Sequence, residues 1–378
     1  IAKGMALGLS FKWRTSPVFG AIAEHLVDRP ELLGEILPPA RQDGEEAMLR
    51  VVHGTVRDAL SFLPGSAAPQ GSNAFLVGKG RSRSGLPLLA SDPHLELSLP
   101  SIWHLQSVQG RRFAAVGCTL PGLPGVVIGR TRGLAWGLTN GMIDDADLWK
   151  EELDGPGGKY RVDGRWRPLR IETQEIRRRG RPPELFRLRR THRGPLMTDA
   201  FPAYKGESMS LRMSLHDPAA DLEAFLHLGR AEDGDAVSVA VAGLGAPVQN
   251  LLWADVRGRA GYSMMGRVPA RPDTGVHPLL PQDGRTAATD WKGWVPQDEL
   301  PSLELGPDDV FVSANDPHVA DPDYPHYLSS LYEPPYRALR LRELVGGLRD
   351  AEIEDLARIQ MDAMNIATRW FKEHVILP

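Results

Sequence analysis

Apolar positions recur every three to four residues through residues 1 to 37, in GMALGLSF, VFGAIAEHLV and ELLGEIL, the spacing that lines one face of a helix. A Pro- and Gly-containing segment, LPPARQDGEE, interrupts that pattern before EAMLRVVHGTVRDALSFL resumes it. LPGSAAPQG then reads as a flexible spacer by its composition. From residue 72 the chain changes to short apolar runs bounded by turn residues, NAFLVG, LPLLAS, SIWHLQSVQG, RFAAVGCTL and GVVIGRTRGLAWGLT, which predict strands. Between 148 and 200, LWKEEL, KYRV, LRIETQEIRRR and LFRLRRT are separated by DGPGG, DGRW and RGRPP, the signature of hairpins with Gly and Pro turns. Two helices are expected around 219 to 229 and 233 to 243, ahead of strands at VQNLLWADV and GYSMMGRV. The last stretch, EIEDLARIQMDAMNIATRWFKEHVILP, has a 3.6-residue period over its whole length and is expected to be helical. An antiparallel strand set with clustered helices argues a layered α+β architecture.

The opening IAKGMALGLSFKW reads as the middle of a helix, and the final stretch stops without a cap, so both ends are expected to be cut ends of a longer chain. The 378 residues are 42% apolar and 24% charged, an ordinary globular composition with room for one large domain or two smaller ones. A formal net charge of -4 gives no general attraction to nucleic acid or anionic lipid. No apolar run approaches the length of a membrane-spanning helix. The single cysteine, Cys118, can close no internal disulfide and completes no metal motif; it reads as a small buried hydrophobe and leaves the redox compartment open.

Several chemistries are absent. There is no G-x-G-x-x-G, no Walker A loop, no H-E-x-x-H and no G-x-S-x-G, so dinucleotide, phosphate-loop, zincin and elbow-serine readings fall away. His318, Asp321, Asp323 and His326 gather in NDPHVADPDYPH and carry metal-capable side chains, but a Pro-rich loop is the plainer reading. The basic run holding Arg177 to Arg179 and Arg189 to Arg193 is expected to be a solvated hairpin face. Ser72, between Gly71 and Asn73 in front of an apolar run, is either a strand-entry turn residue or a nucleophile.

Residues beyond 70 decide between these. GSNAFLVG, GLPLLASDPHLELSLPSIWH, LPGLPGVVIGRTRGLAWGLTNGMIDDADL, THRGP, QNLLWADVRGRAGY, DWKGWVP and SANDPH followed by YRALRLREL together resemble the penicillin acylase family of N-terminal nucleophile hydrolases. That resemblance implies an αββα sandwich with two stacked antiparallel sheets between helical layers. It also implies a precursor cut in front of a serine, giving an α chain, a discarded spacer and a β chain that associate as a heterodimer, in the periplasm or outside the cell. Residues 1–71 would then be the end of the α chain plus spacer, and 72–378 the first part of the β chain. The cut falls between Gly71 and Ser72, where a glycine allows the strained geometry of an N-to-O acyl shift. The freed serine amine, with an unperturbed pKa of about 7.7 to 8.0, can act as base for its own hydroxyl.

The resemblance implies further roles, position by position. The backbone N–H of Asn140 and the side-chain amide of Asn250 correspond to two oxyanion donors. His94 corresponds to a residue that positions the serine, and Arg271 to an arginine that steadies the second donor and the amine. Asp144, the Ala146 carbonyl and Asp147 match a structural calcium site, although the glutamate expected from the α chain appears as Ser16. No cofactor is implied for catalysis. Leu95 and Ile128 match an acyl pocket, aliphatic enough for a fatty acyl or a phenylacetyl group. The implied reaction is hydrolysis of an N-acylated small molecule, such as a β-lactam or an N-acyl-homoserine lactone. Two alternatives stand beside it, a conventional Ser/His/Asp hydrolase using His94 and an internal serine, and a noncatalytic homologue that only binds.

Overall fold

In the computed structural model the described residues are 71–373, except 96, 97, 112, 156, 157, 201–205 and 320–322. The helices expected within residues 1 to 70, and Ser16, lie outside that set. The described chain begins β1 (Gly71–Val77), β2 (Leu88–His94), β3 (His104–Gln109), β4 (Ala114–Thr119), β5 (Ile128–Arg130), β6 (Leu134–Asn140) and β7 (Ala146–Lys150). It continues through β8 (Lys159–Val162), β9 (Arg165–Pro168), β10 (Arg170–Arg178), β11 (Arg181–Arg190) and β12 (Met209–Met213) to α1 (Asp221–Leu228) and α2 (Val237–Gly243). β13 (Gln249–Asp255), β14 (Ala260–Met265), β15 (Gln282–Asp283), β16 (Ser302–Glu304) and β17 (Val310–Ser313) lead into α3 (Tyr336–Gly346), α4 (Ile353–Gln360) and α5 (Ile366–Phe371).

Alternation along the strands builds the layers, because successive side chains leave opposite faces of a sheet. In β1, Phe75 and Val77 pack with Val312, Ala338, Leu341, Val345 and Leu356, against α3 and α4. Ala74 and Leu76 point the other way and join Leu252, Ala254, Tyr262 and Met264 of β13 and β14. In turn Leu251 and Trp253 of β13, with Trp136 and Leu138 of β6, face Phe225, Leu228 and Val241 of α1 and α2. The order is therefore helices, a seven-stranded sheet (β16-β14-β13-β6-β5-β4-β3), a three-stranded sheet (β17-β1-β2), and helices. This is the αββα sandwich expected. By the same parity, Ser72 projects into the space between the two sheets.

A separate three-stranded sheet, β12-β7-β15, and the hairpins β8-β9 and β10-β11 extend from this core. The hairpin β8-β9 turns on Asp163 and Gly164, both in the left-handed region at φ 50° and 73°, as a two-residue type I′ loop requires. Residues 177 to 179 stand on the exposed end of hairpin β10-β11 or its turn, as expected, but Arg193 does not. Its side chain is 2% exposed, pairing with Glu151 at 3.0 Å and Asp290 at 2.6 Å and donating to the Gly284 and Thr286 carbonyls. It is a buried ionic hub, because β7 and β12 bring Glu151 underneath it. Cys118 lies half-buried on β4.

The terminal helix is also not continuous. α4 ends at Gln360 and α5 starts after Asn365, whose side chain accepts from the Thr368 N–H and caps the new helix. Between them, Asp362 is held by both Nε and Nη2 of Arg340 at 3.0 and 2.8 Å. A polar anchor and an N-cap override the apolar period.

Candidate active site

The register of β1 explains how the Ser72 neighbourhood forms. β1 pairs with β2 along its whole length, with Gly71 opposite His94 and Ser72 opposite Pro93. On its other side it pairs with β17 only as far as Ala74 and Ser313. Continued by two residues, that register sets Asn315 opposite Ser72. Asn315 instead adopts φ 66°, a left-handed conformation that Asn tolerates better than most residues, and the ladder stops. The side-chain carbonyl Oδ1 of Asn315 then accepts the Ser72 N–H at 2.6 Å. Local strain thus sits at the residue facing the serine, where strained backbone is often functional.

Asn315 is fully buried and its own amide donates to the Asn140 carbonyl at 2.9 Å. Arg337, from α3, donates through Nη1 to the Ser72 carbonyl at 2.8 Å and to Asn73 Oδ1 at 2.7 Å, and through Nη2 to Asn315 Oδ1 at 3.0 Å. Ser72 itself is only 6% exposed. Gly71 is not among the residues at positive φ; its need for a missing side chain comes from Arg337, since a Cβ there would meet Nη2 at 2.7 Å.

Asn140 ends β6. The next N–H, of Gly141, bonds the Val248 carbonyl at 3.1 Å, and hydrogen-bonding residues alternate along an antiparallel pair. The Asn140 N–H therefore turns away from β13, toward the side on which β5 has already ended its pairing at Trp136. His94 lies at the end of β2 with its ring 2.8 Å from Asp92 Oδ2 and 3.4 Å from Asn73 Nδ2. It reaches the serine through Asn73 and Arg337, not directly.

Asn250 and Arg271 are placed elsewhere. Asn250 is fully buried on β13; its amide donates to Thr139 Oγ1 at 3.1 Å and approaches the Asn140 carbonyl at 3.4 Å, and it accepts the Tyr262 hydroxyl at 2.9 Å. Its side-chain partners are Thr139, the Asn140 carbonyl, Ser313 and Tyr262. Arg271 donates to Asp147 Oδ2 at 2.8 Å, to the Asp144 carbonyl at 2.7 Å and to Asp144 Oδ1 at 3.1 Å. Burial disfavours its charge, but the Asp147 and Asp144 carboxylates outweigh that and push its pKa up. Among the described residues, the positions beside Ser72 given above to Asn250 and Arg271 are held by Asn315 and Arg337. Both lie in the words SANDPH and YRALRLREL, but only the strand register shows that they meet the serine.

The residues matched to a calcium site are Asp144, Ala146 and Asp147. Asp144 and Asp147 already receive Arg271, Asp147 also receives the Trp291 indole N–H, and Ala146 is buried in β7. Among the described residues no group of three His, Cys, Asp or Glu side chains could hold a metal ion, and the Arg271 cation faces both carboxylates matched to calcium. In the described part of 315–326, His318 bonds Ser313 at 2.8 Å and His326 bonds Glu299 at 2.5 Å, while Asp321 lies outside the described residues. Leu95 is half-buried just after β2. Ile128 packs against the core under α1 and α2, not toward the serine.

Two stacked antiparallel sheets between helices, with a serine opening a central strand, define an N-terminal nucleophile hydrolase architecture. The penicillin amidase family model matches residues 1–377, and the chain belongs to that family. It is 31% identical to acyl-homoserine lactone acylase QuiP of Pseudomonas aeruginosa over 88% of this chain and 40% of that one. It is likewise 31% identical to penicillin acylase 2 proenzyme of a Pseudomonas species, over 87% of this chain and 43% of that one. Thermostable penicillin G acylase from Alcaligenes faecalis superposes with a TM-score of 0.70 at 22% identity, over 80% of this chain and 54% of that one. The chain thus spans about two fifths of the length of the curated relatives it matches. No described helix is long and apolar enough to cross a membrane.

Proposed function

We propose that this chain is part of an acylase that hydrolyses the amide of an N-acylated small molecule through Ser72, after the Gly71–Ser72 bond is cut. The observation that carries the reading is the contact of the Ser72 N–H with Asn315 Oδ1 at 2.6 Å, with the Asn315 amide on the Asn140 carbonyl and Arg337 on both. Once the bond is cut, that N–H becomes one hydrogen of an amine. Asn315 continues to accept it, which leaves the amine lone pair to take the Ser72 hydroxyl proton as Oγ attacks the substrate carbonyl carbon. The fixed charge of Arg337 disfavours a second positive charge next to it, so the amine is kept in its basic form.

Attack makes a tetrahedral oxyanion, held by the Asn140 N–H and a side-chain amide; proximity assigns the latter to Asn315. Collapse breaks the carbon–nitrogen bond, the leaving amine takes the proton held by the Ser72 amine, and an ester remains on Oγ. Water, deprotonated by the same amine, attacks the ester carbon; the carbon–Oγ bond breaks, the amine returns that proton to Ser72 Oγ, and the acid is released. The relatives' names point to acyl-homoserine lactones and penicillins as amides of the right class, and Leu95 supplies one aliphatic contact for the acyl chain. The reaction draws on no cofactor. A structural calcium at Asp144, the Ala146 carbonyl and Asp147 would have to displace Arg271. Cleavage would leave two associated chains, α and β, with residues 1–71 on the α and spacer side.

The test is expression from the full reading frame, N-terminal sequencing of the mature chains, and assay of acyl amides on wild type and Ser72→Ala. A new N-terminus at Ser72 and an uncleaved, inactive variant are expected. An intact, active chain overturns the reading.

A further inference from the structure

Behind the proposed donors lies a buried polar chain with no part in the reaction just described. Thr139 precedes Asn140 on β6, and Ser313 ends β17 two residues before Asn315; both project into the space between the sheets. Thr139 is 1% exposed and Ser313 fully buried. Their hydroxyls lie 2.7 Å apart, and Ser313 Oγ lies 2.8 Å from His318 Nε2. At the far end, Asn250 connects to Thr139 and to Tyr262.

Donor and acceptor counting gives this chain a direction. Asn250 Nδ2 approaches the Asn140 carbonyl, which can only accept, so the amide orientation is settled and Oδ1 takes the Tyr262 proton. Nδ2 then donates to Thr139 Oγ1. The acceptor at hand for the Thr139 proton is Ser313 Oγ, and the Ser313 proton then goes to His318 Nε2. Every proton from Tyr262 to Ser313 is placed if Nε2 is bare. Were Nε2 protonated, Ser313 would accept from it and donate back to Thr139, leaving the Thr139 proton stranded in a dry interior at the cost of an unsatisfied buried donor.

Resting on the acylase reading above, we propose that Tyr262, Asn250, Thr139, Ser313 and His318 form a one-way hydrogen-bonded strut that positions Asn140 and Asn315 for acyl transfer, with His318 Nε2 as its terminal acceptor. The strut touches both donor-bearing segments, through Thr139 on one and Ser313 on the other, and Asn250 also reaches the Asn140 carbonyl. His318 is a positioning residue.

The surroundings of His318 suit an uncharged ring. Tyr262 of β14 packs edge-on at 5.0 Å between ring centroids, and Phe311 of β17 lies at 5.1 Å. The Asp316 carboxylate, whose charge acts on this ring, is bound by Arg342 of α3. Burial pushes the His318 pKa below 6.5, the Asp316 charge opposes that, and Arg342 adds to it.

Three measurements on the full-length protein test the strut. Replacing the acceptor by an apolar group, His318→Leu, is expected to lower kcat on the order of tenfold to a hundredfold, since small misplacements of reacting groups carry costs of that size, with KM little changed. His318→Gln keeps an acceptor oxygen and is expected to restore most of kcat while removing the acid-side fall that His318 protonation produces. Ser313→Ala, a smaller change, is expected to act like His318→Leu and serves if the leucine variant does not fold. Imidazole nitrogen NMR at neutral pH is expected to find Nε2 unprotonated. A protonated Nε2, or wild-type kcat and pH profile in both His318→Leu and Ser313→Ala, overturns the strut. Ser72→Ala separates the two readings: full activity there overturns the acylase mechanism itself, whereas an inactive Ser72→Ala beside unaffected strut variants overturns only the strut.

Discussion

Two arginines, Arg193 buried and Arg337 half-buried, hold the polar groups of this molecule in different ways. Arg193 sits under β7 and β12 with Glu151 and Asp290, and its side chain and that of Glu151 are almost wholly out of solvent. Each charge there has an opposite charge, and carbonyls accept further guanidinium protons. Arg337 instead sits among amides and a backbone carbonyl, with Glu333 3.9 Å away. Its charge is spent on Ser72 and Asn315 more than on a carboxylate. The first arrangement is complete in itself and serves the fold; the second directs its positive field at one serine, which is the disposition a reaction needs.

The comparison can be broken first at Arg193. Arg193→Met leaves Glu151 buried without its cation, a loss of about 3 to 5 kcal/mol, read by denaturant unfolding, while the rate per folded molecule stays unchanged. Asn315→Gly tolerates the backbone at φ 66° but removes the amide; activity is expected to fall on the order of 100 to 1,000-fold with a smaller loss of stability, the opposite split. Gly71→Ala sets a methyl against Arg337 and is expected to slow chain cleavage roughly tenfold or more, seen by following the precursor by mass spectrometry. The cleaved enzyme should then be normal, because residue 71 departs with the spacer.

A fourth measurement concerns pH. With His318 held neutral below its ordinary value of 6.5 in the folded state, the unfolded chain binds the extra proton, so stability declines as pH falls from 6.5 toward the folded pKa, at up to about 1.4 kcal/mol per pH unit. His318→Gln removes that slope, as a pair of melting series would record. The smallest effect is expected from a calcium chelator, which should leave the melting transition in place if Arg271 is the cation serving Asp144 and Asp147. A chelator-induced drop would show that a metal shares the site.

Much of the architecture was readable from residue order. Strands at 71–77, 134–140, 249–255 and 260–265 and the helices near 221–228 and 237–243 follow from their apolar periods, and the Asp163-Gly164 turn from its chemistry. Ser72 was legible because it stands at a strand entry inside words specific to one family. Arg193 was not: a run of arginines on a hairpin looks solvated until a separate sheet is placed beneath it. Nor was the break at 361–365, where an Asn cap and the Arg340 fork on Asp362 act against a continuous apolar period.

Residue order by itself determined the family, the parity that turns Ser72 inward, and the layers that enclose it, since these depend on local period and on words carried along the chain. Tertiary structure decided which amide and which arginine meet the serine. Asn315 and Arg337 lie far from Ser72 in sequence and become its neighbours through the β1-β17 register and the packing of α3 on that sheet. A register shifted by one residue would present the other face of β17, so no property of those two side chains alone could have announced their place.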